Sequence, residues 1–240
     1  MRARLAVELA GLQLDVVTGA GPEGSRVLAG LVDLAERAMA DFHRQQASGL
    51  IPRPAAAVGR LRGTGRGVSS TRLIEELERA HPLTLSSPFE GSDRVSGGVW
   101  LARDVLGNGS TTSVAKLRWE SRAVDLPMHV HEHSDRLIVV HKGRGFFHVT
   151  SESVDGFTGT SVRSIPARER DVFHFTRGVV HTFSTDTEPM VLLSCQHPFL
   201  PFDHPDQYRI PRVRWVAADH QDEYGVGVGC DAAWTLLTGC

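Results

Sequence analysis

The sequence predicts a mainly β domain, a closed antiparallel barrel or sandwich, preceded by an α-helical segment. Between residues 98 and 196, short apolar runs recur with Gly, Asn, Asp and Ser between them. Before residue 50 the apolar spacing is helical instead. The run LPMHVHEHSDRLIVVHKGRGFF, Leu126 to Phe147, sets His129 and His131 two apart where a strand is expected.

The first expected element is a helix over Pro22 to Gln46. Val27, Leu28, Leu31, Val32, Leu34, Ala35, Ala38, Met39 and Phe42 form its apolar stripe. Gly49 supplies a stop and Pro52 a breaker. Gly59 to Gly67, GRLRGTGRG, reads as a basic loop, and no G-K-[ST] follows to make it a phosphate loop. A shorter helix is expected over Ser70 to His81, ended by Pro82. GVSSTRLIEELERA, from Gly67, loosely echoes the second half of a helix-turn-helix. The Arg-Leu-Arg-Gly-Thr-Gly ahead of it disfavours the first helix such a motif needs. Residues 1–95 are therefore expected to be a largely helical extension.

Residues 96–200 are expected to form the barrel. Strands are read at Gly98 to Asp104, Thr112 to Trp119, Met128 to His131, Arg136 to Lys142 and Gly145 to Ser151. Further strands are read at Thr160 to Ile165, Asp171 to Phe175, His181 to Ser184 and Met190 to Gln196. Gly107 to Ser110 and Asp155-Gly156 mark turns between them. Many short strands with regular turns favour a barrel, which also hides strand edges. Residues 201–240 are expected to be an arm on the barrel, anchored by Trp215 and Trp234.

Composition excludes several classes. The formal charge of −2 argues against a general nucleic-acid binder. The longest apolar runs fall well short of a membrane span. Glu8 interrupts the N-terminal apolar stretch, which reads as mature sequence, so a cytoplasmic protein is expected. Cys195, Cys230 and Cys240 have neither the number nor the spacing of a disulfide framework or zinc ribbon.

Side chains alternate faces along a strand, so His129 and His131 point to the same side. Two such imidazoles make half of a tetrahedral or octahedral metal site. His181, in DVFHFTRGVVHTF, is the third candidate. His133 is a reserve ligand beside the turn, His141 should face outward, and His174 should pack or lie at the surface. His197 ends its strand and is expected near the barrel mouth.

These segments resemble the cupin superfamily. HVHEHSDRLIVVHKG is similar to the first cupin motif, G-x5-H-x-H-x3-4-E-x6-G, through His129, His131 and Gly143. DVFHFTRGVVH is similar to the second, G-x5-P-x-G-x2-H-x3-N, through Gly178 and His181. The resemblance spans roughly residues 96 to 200. It implies a double-stranded β-helix, or jelly-roll, barrel holding one divalent metal on His129, His131 and His181.

The departures matter as much. The family's glutamate position holds Arg136 on the longer spacing and Asp135 on the shorter. Alternation from an inward Val140 favours an inward Arg136. A guanidinium cannot ligate a metal, since it is protonated and has no acceptor. The site is then three histidines, with Arg136 free to bind an anionic substrate. A bulge bringing Asp135 inward as fourth ligand, or a barrel that has lost its metal, are the other readings. Arg170 and Thr176 replace the second motif's leading glycine and its proline.

Imidazoles suit Fe2+, Mn2+, Ni2+, Cu2+ or Zn2+. The leading expectation is a non-haem dioxygenase using Fe2+ on a small, anionic organic molecule. The alternative is a non-catalytic ligand-sensing cupin. A metal-dependent isomerase and a DNA-binding regulator with a cupin sensor rank lower. The resemblance also implies pairing as a homodimer.

Overall fold

A computed structural model describes residues 23–60, 83–84, 93–103, 107–201, 204–223 and 234–237. The expected helix over Ser70 to His81, the helix-turn-helix echo, Cys230 and Cys240 lie outside these residues.

The first described element is α1 (Glu23–Ala47), close to the helix that the apolar spacing predicts. Gly49 follows with φ of 73°, the left-handed conformation that terminates a helix at little cost in glycine. Strands β1 (Ala56–Arg60), β2 (Leu83–Thr84), β3 (Val95–Leu101), β4 (Ser113–Trp119), β5 (His129–Val130) and β6 (Asp135–Thr150) come next. Then follow β7 (Arg163–Arg168), β8 (Asp171–Phe175), β9 (Val180–Ser184), β10 (Met190–His197), a 3-10 turn (Ala217–Glu223) and β11 (Trp234–Leu236).

All strand pairs among the described residues are antiparallel. The main sheet runs β11-β1-β8-β6-β10-β4-β3-β2. A second, smaller sheet is built from β7, β6, β9 and β5. β6 belongs to both, so the two strands expected at Arg136 to Lys142 and Gly145 to Ser151 are one. Its first half pairs with β8 and β10, its second half with β7 and β9. The change of sheet occurs at Gly143, where φ is 79°. A Cβ there would lie 2.0 Å from the Pro189 carbonyl oxygen, so the position requires glycine.

Alternation along β6 decides what lies on each side. Ile138 and Val140 join Phe147, Phe173, Phe175 and Phe183 in the barrel interior. Leu137 and Val139 face the other way, onto Leu31, Ala35, Ala38, Met39 and Phe42 of α1. Burying each large side chain of that stripe contributes about 1.5–3 kcal/mol, which fixes the helix to the outer face of the main sheet. Cys195 lies in the same layer, and burial pushes its thiol up to about 12. On the small sheet, Val130 and Val180 face outward under Trp215 and Phe157.

The expected boundary between residues 95 and 96 falls inside β3, and β1 sits within the main sheet between β8 and β11. The barrel therefore draws strands from the segment read as helical. Ala56, Ala57, Val58 and Gly59 gave no turn-flanked β-branched run to signal a strand.

Candidate metal centre

β5 and β9 pair with His129 opposite His181. The neighbouring Val130–Val180 pair faces outward, so both histidines face the interior. His131 follows one residue beyond β5, and Gly178 N–H donates to its carbonyl at 3.0 Å. The ligand atoms of His129, His131 and His181 all lie within 4.8 Å of one another, and the three residues are buried.

The outer nitrogens settle how these rings are oriented. Nδ1 of His129 lies 3.0 Å from the Pro127 carbonyl, and Nδ1 of His181 lies 3.0 Å from the Val179 carbonyl. In each case the acceptor is two residues upstream. Nδ1 of His131 is 2.6 Å from the Gln207 carbonyl. A carbonyl only accepts, so each Nδ1 carries its proton and each Nε2 keeps its lone pair. This is the outer support that metal-bound histidines need. Burial, followed by the Arg136 charge and the other two rings, holds His131 well below the ordinary histidine range. His181 is held down by burial and by His129. Neutral imidazole is the ligating form, so the cluster fits a divalent cation.

The cavity is about 30 Å³. Beyond the histidines it is walled by apolar side chains of β4, β6, β8 and β9, with Ser113, Ser194, Gln196 and Arg136 as its other polar groups. None of the described residues lining it is acidic. Trp119, 3% exposed, also lines it, and its Nε1–H has no hydrogen-bond partner. An orphaned buried donor costs free energy, which a ligand acceptor would recover.

Arg136 is buried at this cavity. Its Nη1 donates to Ser134 Oγ at 2.7 Å. With the Gln196 amide turned to suit its neighbours, Nη1 also donates to the Gln196 oxygen at 3.2 Å. Nη2 sits 3.0 Å from His131 Nδ1, but a guanidinium can only donate. The shorter contact from His131 to Gln207 therefore sets the tautomer.

Asp135 does not join the cluster. Its carboxylate points to the helix side of the sheet, 2.6 Å from His43 Nε2 on α1. It also accepts from the Arg177 main-chain N–H at 2.8 Å and from Arg177 Nε at 3.3 Å. Burial pushes its pKa up, but the Arg177 and His43 hydrogen bonds outweigh that and hold it low. β6 does contain a bulge, but it falls at His141, between the pairs Lys142–Val191 and Val140–Leu192. It thus leaves the alternation of residues 135–140 intact, and Asp135 stays outside.

His133 is exposed, whereas His174 is fully buried, edge to face with Phe42 at a ring-centroid distance of 4.0 Å. His197 Nδ1 is 3.0 Å from Thr112 Oγ1. In the second motif, Arg170 keeps a left-handed φ of 75°, and Thr176 Oγ1 accepts from Ala55 N–H at 3.0 Å.

Trp119, Ser134, Gln196 and Gln207 were not singled out from the sequence. Their roles depend on contacts between distant segments, and nothing local marks them.

With the two-sheet barrel and its inward histidine cluster in place, the architecture is settled. The fold is an antiparallel two-sheet barrel of the jelly-roll kind that the resemblance implies. No family model matches the chain, and no curated protein matches it. Solved structures do. Oxalate decarboxylase from Lactobacillus farciminis aligns at 16% identity over 49% of this chain and 32% of its own, with a TM-score of 0.36. Vicilin from Corylus avellana (hazelnut) aligns at 17% identity over 50% and 32%, with a TM-score of 0.37. The capsular polysaccharide assembling protein CapF of Staphylococcus aureus aligns at 12% identity over 55% and 35%, with a TM-score of 0.42. The chain therefore spans about a third of the length of each. No helix among the described residues is long and apolar enough to cross a membrane.

Proposed function

We propose that this cupin is a metal-dependent dioxygenase that acts on a small anionic organic molecule. The carrying observation is the buried triad of His129, His131 and His181 in a cavity that also holds Arg136. The three histidines would hold one divalent ion, with Fe2+ favoured. Such an ion, with three protein ligands, supplies open positions for substrate and O2.

The chain's own residues have separable parts in this reading. Arg136, oriented by Ser134 and Gln196, brings its guanidinium charge to a substrate carboxylate. Trp119 Nε1–H offers a neutral donor. The apolar walls exclude bulk water, which strengthens both contacts. With no acidic residue among the described lining, a side-chain carboxylate base is lacking there. That favours oxygenase chemistry over an isomerisation needing such a base.

The second reading is a ligand-sensing cupin without turnover. The cavity's size, about 30 Å³, favours it, because little space remains beside an ion. A homodimer in the cytoplasm is part of either proposal.

The test joins two measurements on purified protein. Elemental analysis should give close to one redox-active divalent metal per chain, lost in His131→Ala. Protein reconstituted with Fe2+ should consume O2 only when a small carboxylate is supplied. Metal without O2 uptake across a panel of such acids would favour the sensing reading. A protein that stays metal-free after reconstitution would overturn both the ion and the enzyme.

A further inference from the structure

On the side of the main sheet away from the histidines there is a second cavity, an open cleft of about 350 Å³. It lies between the last turns of α1, the segment before β1 and the β8–β9 turn. His43, Gln46, Arg53, Pro54, Thr176 and Arg177 line it, and none is acidic. Its size is at the lower end of the range for small-molecule sites.

The charges do not cancel. Asp135 lies beneath the cleft with its side chain 1% exposed, and Arg177 Nε and Nη2 both contact its carboxylate at 3.3 Å. That pairing neutralises Arg177 and leaves its Nη1 edge, with two N–H donors, unused by Asp135. The Arg177 side chain is 45% exposed, so this edge can meet a ligand. Arg53 is exposed and has no ion pair among the described residues. The cleft thus carries one uncompensated guanidinium beside a second that is held in a fixed orientation.

We propose that this cleft binds a small molecule through an oxyanion group, a phosphate or a carboxylate, held between Arg53 and the free edge of Arg177. Two planar guanidinia suit oxyanions because each presents paired donors. One exposed arginine alone would contribute little. Here a concave wall, a pre-oriented partner and His43 share the same ligand. The site is distinct from the histidine centre, since Asp135 and Arg136 project to opposite faces of β6. It is also physically joined to that centre. The turn bearing Arg177 continues into Gly178, whose N–H holds the His131 carbonyl.

The test is calorimetric titration of the full chain with inorganic phosphate and, separately, with malonate. Wild type, Arg53→Gln and Arg136→Gln are compared. Saturable binding of at least one anion is expected, and the binding event that Arg53→Gln weakens should persist in Arg136→Gln. In Arg53→Gln it should weaken roughly tenfold or more, the loss of one charge-assisted contact. The preferred anion tells whether a phosphate or a carboxylate is the natural group. The melting temperature of anion-free Arg53→Gln should match wild type, because Arg53 is exposed and makes no ion pair among the described residues. The proposal is overturned if neither anion binds, or if binding survives Arg53→Gln undiminished. Loss in Arg136→Gln alone would also overturn it, by placing the anion in the barrel.

Discussion

His129 and His181 face each other as paired residues of β5 and β9, and each fixes its ring on the carbonyl two residues upstream. The two rings, with centroids 4.6 Å apart, are thus both anchored by main-chain carbonyls. His131 differs, because its anchor is the Gln207 carbonyl from the C-terminal segment. Removing a ligand should therefore separate cleanly from removing the carboxylate next door. His129→Ala, His131→Ala or His181→Ala should each abolish stoichiometric metal in elemental analysis. Asp135→Ala should keep the metal yet lose about 2–4 kcal/mol in urea unfolding, because it strands His43 and Arg177. Loss of metal in Asp135→Ala would mean that the carboxylate reaches the centre.

Arg136 and Trp119 should affect ligand rather than metal. Arg136→Gln and Trp119→Phe are each expected to retain metal while weakening a small carboxylate roughly tenfold. Titration of the metal-loaded protein with acetate would read this. Equal affinity in Trp119→Phe would mean that the indole N–H does not face the ligand.

Acid should destabilise the fold well before the carboxylates titrate. Burial, with a smaller push from His220, brings His148 down to about 3. Burial brings His174 to about 3 as well, where Asp135 raises it and His43 lowers it. An unfolded histidine titrates near 6.5, so between these values the unfolded chain binds more protons. Stability is full above about pH 6.5 and falls as pH drops toward 3, by up to about 1.4 kcal/mol per pH unit for each histidine. Urea midpoints at pH 7 and pH 4.5 check the sign. His174→Phe should flatten the slope.

Gly143→Ala should cost about 3 kcal/mol or more, since a Cβ would meet the Pro189 oxygen in a left-handed backbone. Gly49→Ala has the same sign of φ but open space around it, and should cost only about 1 kcal/mol. Thermal unfolding of the pair separates strain from collision.

Much of the barrel was legible because period-two apolar runs and turn residues are local signals. The paired histidines were legible for the same reason, and alternation from Val140 placed Arg136 inward. β1 was not legible, because Ala56, Ala57 and Gly59 carry no strand preference and gain theirs from pairing with β8. The union of two expected strands into β6 was hidden by Gly143, which reads as a turn but only bends the strand. Nor could the sequence show His43 on Asp135, a contact between residues 92 apart.

Consider again that Asp135 and Arg136 are adjacent and project to opposite faces of one strand. The stretch from Leu137 to Val139 is then a spacer whose length sets a reading frame. Adding or removing one residue there, with the rest of β6 held by Gly143, would exchange the two faces at this point. A carboxylate would enter the histidine cavity and a guanidinium would meet the helix. One-residue length changes in that stretch are thus a route by which such a barrel can pass between a three-ligand and a four-ligand centre without altering any side chain.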